Sequence, residues 1–258
     1  MPQTKIVFFD IDGTLIDMQA KKITPKMLDT LHRLQDRGIK ICIATGRSPM
    51  VLPKIDGVAF DAYLTFNGSL CYDRKGVIFS NPIPHKDVVR FIQNAAALGR
   101  PVCVSTRDRL AANGTDTDLT DYFFIANEPV PVADDFDAVC AEDIYQLMLG
   151  CRPKDYPALL DGAPGAKIAA WWDRAVDVIP AGGGKGIGIE KTLAYYGLDK
   201  AEALAFGDGN NDREMLQAVG TGVAMENGSP ELKALADEIC GPVYEDGIYH
   251  YCADKGLI

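Results

Sequence analysis

Short apolar runs of four to six residues, rich in β-branched and aromatic side chains, alternate along this chain with longer stretches whose apolar residues recur every three or four positions. Lys5–Phe9, Ile39–Ala44, Ala62–Phe66, Ala203–Phe206 and Gly222–Met225 read as strands. Between them lie helical patterns. One opens at Thr24-Pro25, a cap followed by proline at the first helical position, carries Met27, Leu28, Leu31 and Leu34 on one face and ends at Gly38. Ser48-Pro49 reads as a second helix start, and a hairpin-like pair spans Asp73–Gly76. Further helices are expected over Gly186–Tyr196, Asp212–Val219, Pro230–Ala236 and after Gly247. Alternation of this kind is the signature of an α/β fold, a doubly wound parallel sheet wrapped by helices.

The rhythm breaks twice. Asn81-Pro82-Ile83-Pro84 and Ile179-Pro180-Ala181-Gly182-Gly183-Gly184 are stiff or extended connectors about a hundred residues apart. They divide the chain into a core domain, residues 1–81 and 182–258, and an inserted α/β domain, residues 82–181. The insert is expected to hold a helix at Lys86–Leu98, a strand around Val102–Ser105, a helix near Asp116–Phe124 and a strand at Ile144–Leu149. A short helix after Arg152-Pro153 and β runs at Ala166–Trp172 and Arg174–Ile179 complete it, with the helices on one face.

Composition narrows the function. With 258 residues and 47% hydrophobic content the chain can bury a sizeable core. Its 26 Lys and Arg against 36 Asp and Glu leave a net charge of −10, which argues against nucleic acid and against an anionic membrane surface as partners. Seven scattered cysteines, never spaced Cys-x-x-Cys, read as reduced buried thiols, and three separated histidines give little material for a histidine metal site or a Ser-His-Asp triad. No basic stretch with an apolar core follows Met1, and no apolar run approaches the ~20 residues of a membrane span, so a cytoplasmic protein is expected.

The candidate chemistry sits at strand ends. In Phe9-Asp10-Ile11-Asp12-Gly13-Thr14 two carboxylates leave the strand on one side and Gly13 permits a sharp turn. Like charges so close repel unless a cation lies between them or one holds a proton. Thr45-Gly46 offers a hydroxyl and an approachable N–H to a phosphate oxygen. Lys185 stands in a glycine cluster, and Gly207-Asp208-Gly209-Asn210-Asn211-Asp212 brings more carboxylates to a strand end. The three strand ends bearing Asp10, Thr45 and Asp208 converge on one edge of the expected sheet, where open α/β folds bind ligands.

In this order the four segments resemble the haloacid dehalogenase superfamily of phosphohydrolases. Ala44-Thr45-Gly46-Arg47, Asn67-Gly68, Val223-Ala224-Met225-Glu226-Asn227-Gly228 and Glu245-Asp246-Gly247-Ile248 are similar to its Cof-type branch, although Gly228 stands where that branch more often has alanine. The resemblance implies a Rossmann-like core with the superfamily's second type of α/β cap. It implies an Asp10 nucleophile that forms an aspartyl-phosphate, and Asp12 as the acid and base. Mg2+ would be held by Asp10, Asp208 and the backbone carbonyl of Asp12, with Asp212 behind it. Thr45, Gly46, Lys185 and Asn211 would bind phosphate. The implied substrate is a small phosphorylated metabolite, a sugar phosphate for preference. Arg47, Asn67, Trp171, Trp172, Arg174 and Asp177 are the candidates for choosing it. Two alternatives use similar parts. A phosphosugar mutase needs the same groups, and a phosphoacceptor binding domain of the receiver kind also sets an Asp, a Thr or Ser and a Lys around Mg2+. Receivers lack both the second Asp, two residues on, and the hundred-residue insert.

Overall fold

The computed structural model describes residues 3–125, 127–170 and 172–258; Trp171 lies outside the described residues. The chain divides into two compact units, one of residues 1–46, 53–80 and 184–258, the other of residues 47–52 and 81–183.

The first unit begins with strand β1 (Ile6–Phe9), helix α1 (Pro25–Asp36), strands β2 (Lys40–Ala44) and β3 (Ala62–Thr65), and the hairpin β4 (Leu70–Asp73) and β5 (Gly76–Ser80). The second unit supplies α2 (His85–Ala97), β6 (Cys103–Ser105), β7 (Leu110–Ala112), α3 (Thr117–Ile125), α4 (Phe136–Val139), β8 (Gln146–Gly150), α5 (Tyr156–Leu159), β9 (Ala166–Ala169) and β10 (Ala175–Pro180). The first unit then resumes with α6 (Lys185–Tyr196), β11 (Ala203–Gly207), α7 (Arg213–Gln217), β12 (Thr221–Met225), α8 (Pro230–Lys233), β13 (Glu238–Cys240) and α9 (Gly247–Asp254).

Its sheet has the order β13-β12-β11-β1-β2-β3-β4-β5, parallel from β13 through β3 and antiparallel across the terminal hairpin. Every residue of β1 is buried, as a central strand covered on both faces requires. Phe9 pairs with Phe206 on one side and with Ile43 on the other. That register brings the next residues, Asp10, Asp208 and Thr45, out at one edge. Helix α1 forms as its sequence dictates: the Thr24 hydroxyl accepts from the Met27 N–H at 3.1 Å, Pro25 fills the first turn, and Met27, Leu31 and Leu34 are buried. Each leucine so buried contributes about 2 kcal/mol.

Three expectations are corrected. Ser48-Pro49 opens only a three-residue 3-10 turn, Pro49–Val51, because Pro53 drives Leu52 into extended backbone at φ −68° and ψ 133°. The run Ala166–Trp172 stops as a strand at Ala169. The inserted unit's helices are not confined to one face of its antiparallel sheet, ordered β7-β6-β8-β10-β9. Leu147 and Leu149 pack with Val88 and Phe91 of α2, whereas Met148, on the opposite side of the same strand, packs with Leu119 and Phe123 of α3. Strand β7, strand β13 and helix α4 are only three or four residues long, below the length at which a pattern of apolar residues declares itself.

Asp118 on α3 is the hub of an ion network in the inserted unit. Its carboxylate accepts from Arg100 at 3.1 Å, from Arg152 at 3.0 and 3.2 Å and from Arg174 at 3.2 Å. These bonds, those of Arg152 and Arg174 foremost, hold its pKa below the usual carboxylate range. A folded-state pKa that is depressed stabilises the fold above the unfolded value and loses that contribution as pH falls through the folded one. Asp118→Asn should therefore cost about 2 kcal/mol at pH 7, with the difference from wild type shrinking as pH falls below the usual carboxylate range, measured by denaturant unfolding as a function of pH.

Candidate active site

Asp10 follows β1 directly, its N–H bonded to the Phe206 carbonyl at 3.0 Å, and is 5% exposed. A buried carboxylate needs a partner, and the partner is Lys185, the first residue of α6 and 1% exposed. The Lys185 ammonium donates to Asp10 Oδ1 at 2.7 Å and to Asp212 Oδ1 at 2.5 Å. Burial works against its charge, but Asp10 and Asp212 together outweigh that and raise its pKa, so it stays protonated. Asp212 uses its other oxygen to accept the N–H groups of Asp208 and Gly209, both at 3.0 Å, which shapes the loop after β11. Asp208 in turn accepts the Thr14 hydroxyl at 3.3 Å.

The charge does not balance. Three carboxylates, Asp10, Asp208 and Asp212, offer oxygens that all lie within 4.8 Å of one another, beside one ammonium. Burial, reinforced by Asp212, pushes Asp208 up to about 7, and burial above all pushes Asp10 well above the carboxylate range despite Lys185. Such a set of hard oxygen donors fits a divalent cation like Mg2+.

Glycines set the spacing. Gly13, at φ +84°, lies so close to Asp208 that a Cβ there would come within 2.1 Å of Oδ2. On the far side Phe66, Asn67 and Gly68 form a left-handed run, and a Cβ on Gly68 would stand 2.5 Å from the Gly184 carbonyl. The glycine cluster around Lys185 thus brings the start of α6 against the turn after β3. That turn carries Asn67, 3% exposed, whose Oδ1 accepts from Asn211 Nδ2 at 3.2 Å and whose amide lies against Gly46. Thr45, 1% exposed, is anchored there by its N–H to Leu64 and by its carbonyl, which accepts from Asn67.

The structure therefore brings Asp10, Lys185, Asp208 and Asp212 into direct association and sets Asn211 beside Asn67 and Gly46. Asp12 is partly buried in the same loop, bridged to Ile16. The expected substrate-selecting groups of the insert are otherwise engaged. Asp177 is 4% exposed and accepts from the Tyr122 hydroxyl at 2.7 Å, and Arg174 pairs with Asp118 and Asp121 while its guanidinium lies over the Trp172 ring at 5.0 Å. Arg174 and Asp177 thus each have partners within the inserted unit, Asp177 buried and Arg174 about one-third exposed. Arg47 donates to the Val51 carbonyl at 3.0 Å, closing the short 3-10 turn. Thr14, whose hydroxyl reaches Asp208, is a site residue for which the sequence reading named no role, although it ends the Asp-x-Asp-Gly-Thr motif. All seven cysteines are buried, unpaired thiols, and no described helix is long and apolar enough to cross a membrane.

Comparison with known proteins places this geometry. YkrA of Bacillus subtilis (strain 168), provisionally named a phosphatase, is 34% identical over 257 residues, 99% of each chain. The solved structure of BT1666 from Bacteroides thetaiotaomicron, described among phosphatases of the haloalkanoate (HAD) superfamily, superposes with a TM-score of 0.92 at 31% identity, covering 99% of this chain and 96% of that one. That of BT4131, described as a HAD subclass IIB sugar phosphatase, does so at 0.89 and 28%, covering 99% and 100%. Residues 7–252 match the haloacid dehalogenase-like hydrolases, and the chain belongs to that family.

Proposed function

We propose that the chain is a Mg2+-dependent phosphohydrolase that cleaves phosphate monoesters of small metabolites, sugar phosphates for preference, through an aspartyl-phosphate on Asp10. The observation that carries this reading is the buried Asp10 carboxylate at the end of β1, held by Lys185 within a cluster of surplus negative charge. Asp10 Oδ1 is fixed by the ammonium, so the carboxylate keeps one orientation in which to attack phosphorus in line. An ammonium has three N–H donors, and two go to Asp10 and Asp212; the third suits a phosphoryl oxygen. Thr45, the Gly46 N–H and Asn211, gathered around Asn67, suit the other oxygens. Asp12, on the same loop as the nucleophile, protonates the leaving alkoxide and later takes a proton from water. A Mg2+ held by Asp10, Asp208 and the Asp12 carbonyl would offset the repulsion between a carboxylate and a phosphate dianion. Asp212 keeps Asp208 in place through the two amides it accepts.

The names of the similar proteins favour hydrolysis over transfer: one is described as a sugar phosphatase, and a relative 28% identical is named a 5-amino-6-(5-phospho-D-ribitylamino)uracil phosphatase. We assign selection of the leaving group to the inserted unit, residues 82–181, since the strand-end site is built for phosphate and metal and holds nothing shaped for a sugar ring. Release of inorganic phosphate from a panel of small phosphorylated metabolites, without formation of an isomeric sugar phosphate, is the expected result; isomer formation would assign a mutase instead.

Asp10→Asn keeps the shape but removes the attacking charge. Turnover should fall by at least about a thousandfold, while the thermal midpoint stays at or above wild type, since burial penalises the Asp10 charge. Lys185→Met should differ by costing about 3–5 kcal/mol of stability as well as activity, because it leaves Asp10 and Asp212 buried and uncompensated. Calorimetry and steady-state kinetics on both variants separate the two effects. Excess chelator should silence the enzyme and Mg2+ restore it, whereas Ca2+, larger and tolerant of more ligands, should bind without supporting turnover. Full activity in chelator would exclude a dissociable essential ion.

A further inference from the structure

The turn between β12 and α8 touches both carboxylate-bearing loops at once. Asn227 Nδ2 donates to the Gly13 carbonyl at 2.8 Å, on the loop that carries Asp10 and Asp12. Two residues on, the Ser229 N–H donates to the Asp208 carbonyl at 2.9 Å, and the Ser229 hydroxyl donates to Asn210 Oδ1 at 2.9 Å. The other half of the Asn227 amide, Oδ1, accepts from the Val243 N–H at 2.9 Å, which ties the turn to the segment leading into α9. Between the two contacts Gly228 lies so close to the Asp208 loop that a Cβ would stand 2.9 Å from both the Asp208 and Met225 carbonyls. Three segments far apart in sequence therefore meet on three consecutive residues, Asn227, Gly228 and Ser229.

Asn227 is solvent-exposed, so it has no core to fill. Its amide spans two backbone groups that belong to different loops, and one of them, the Gly13 carbonyl, sits in the residue whose Cα hydrogen faces the Asp208 carboxylate. We propose that Asn227 is a positioning residue of the metal site: by holding the Gly13 carbonyl while Ser229 holds the Asp208 carbonyl, it sets the separation of the two loops that present the metal-binding oxygens. This rests on the reading of Asp10 and Asp208 as metal ligands. Partners one step behind a ligand typically change metal affinity by 10–100-fold when removed.

The test measures metal binding in the absence of any substrate, with Mn2+ by electron paramagnetic resonance, which counts unbound ion, and with Mg2+ by calorimetry. Asn227→Ala should raise the dissociation constant about tenfold, with the thermal midpoint of the metal-free protein within a few degrees of wild type. Asn227→Asp keeps the acceptor for Val243 and loses the donor for Gly13. It should weaken binding to a similar degree even though it adds a negative charge, which by itself favours a cation. Gly228→Ala, which must displace the turn from Asp208, should give an intermediate loss. Leu232→Ala, a cavity in the core below the same turn, is the control: it should lower the thermal midpoint and leave metal affinity within twofold of wild type. The inference is overturned if wild type binds metal and both Asn227 variants bind it within twofold as tightly, or if Leu232→Ala weakens binding as much as they do. Absence of metal binding by the wild type would instead remove the reading of Asp10 and Asp208 on which the inference stands.

Discussion

The fold of the first unit is organised around one buried ammonium. Lys185 has no exposed surface to speak of and lies between Asp10 and Asp212, which belong to the loops that follow two neighbouring strands of the parallel sheet, β1 and β11. Burying either carboxylate alone is prohibitive, and burying both demands a cation at hydrogen-bond distance from each. That demand fixes where α6 must start. It also leaves the cluster two positive charges short of neutrality once Asp208 is counted with all three carboxylates ionised; burial, with the neighbouring carboxylates, shifts Asp10 and Asp208 upward, and the site is receptive to a further cation. Stability and chemistry here share one source: three carboxylates and the Lys185 ammonium are gathered in one buried cluster, which leaves the site anionic.

Close approach is the second constraint. Gly68 and Gly188 let the first turn of α6, which carries Lys185, press against the turn after β3; a Cβ on Gly188 would lie 2.9 Å from the Gly68 Cα. On the other side Gly13 admits the Asp208 carboxylate. Any side chain at these points would move charged groups apart by about an ångström, and interactions of this kind fall off on that scale. The inserted unit is constructed differently. It has its own antiparallel sheet, apolar clusters on both faces and an ion network centred on Asp118. Several of its polar residues pair with each other, Arg174 with Asp118 and Asp121, and Asp177 with Tyr122.

What the sequence by itself determined is the set of elements and the order of the chemical groups. Strand and helix existence was legible wherever an apolar period ran for four or more residues, as in β1, α1, β2 and α6, because burial of one face imposes that period on the chain. Asp10, Thr45 and Asp208 were legible because strand ends followed by glycine and polar residues mark the ligand edge of an open sheet, Lys185 because it stands in a glycine cluster, and Asp212 through the family resemblance of its motif. Tertiary structure alone decided which of them touch. That Lys185 bonds both Asp10 and Asp212, that Asn67 stands between Gly46 and Asn211, and that Asn227 spans Gly13 and Val243 are facts of register and loop packing across 16 to 214 positions of sequence. No local pattern encodes them, because each side chain's partner lies on another strand or turn, and its identity follows only from how the sheet is ordered.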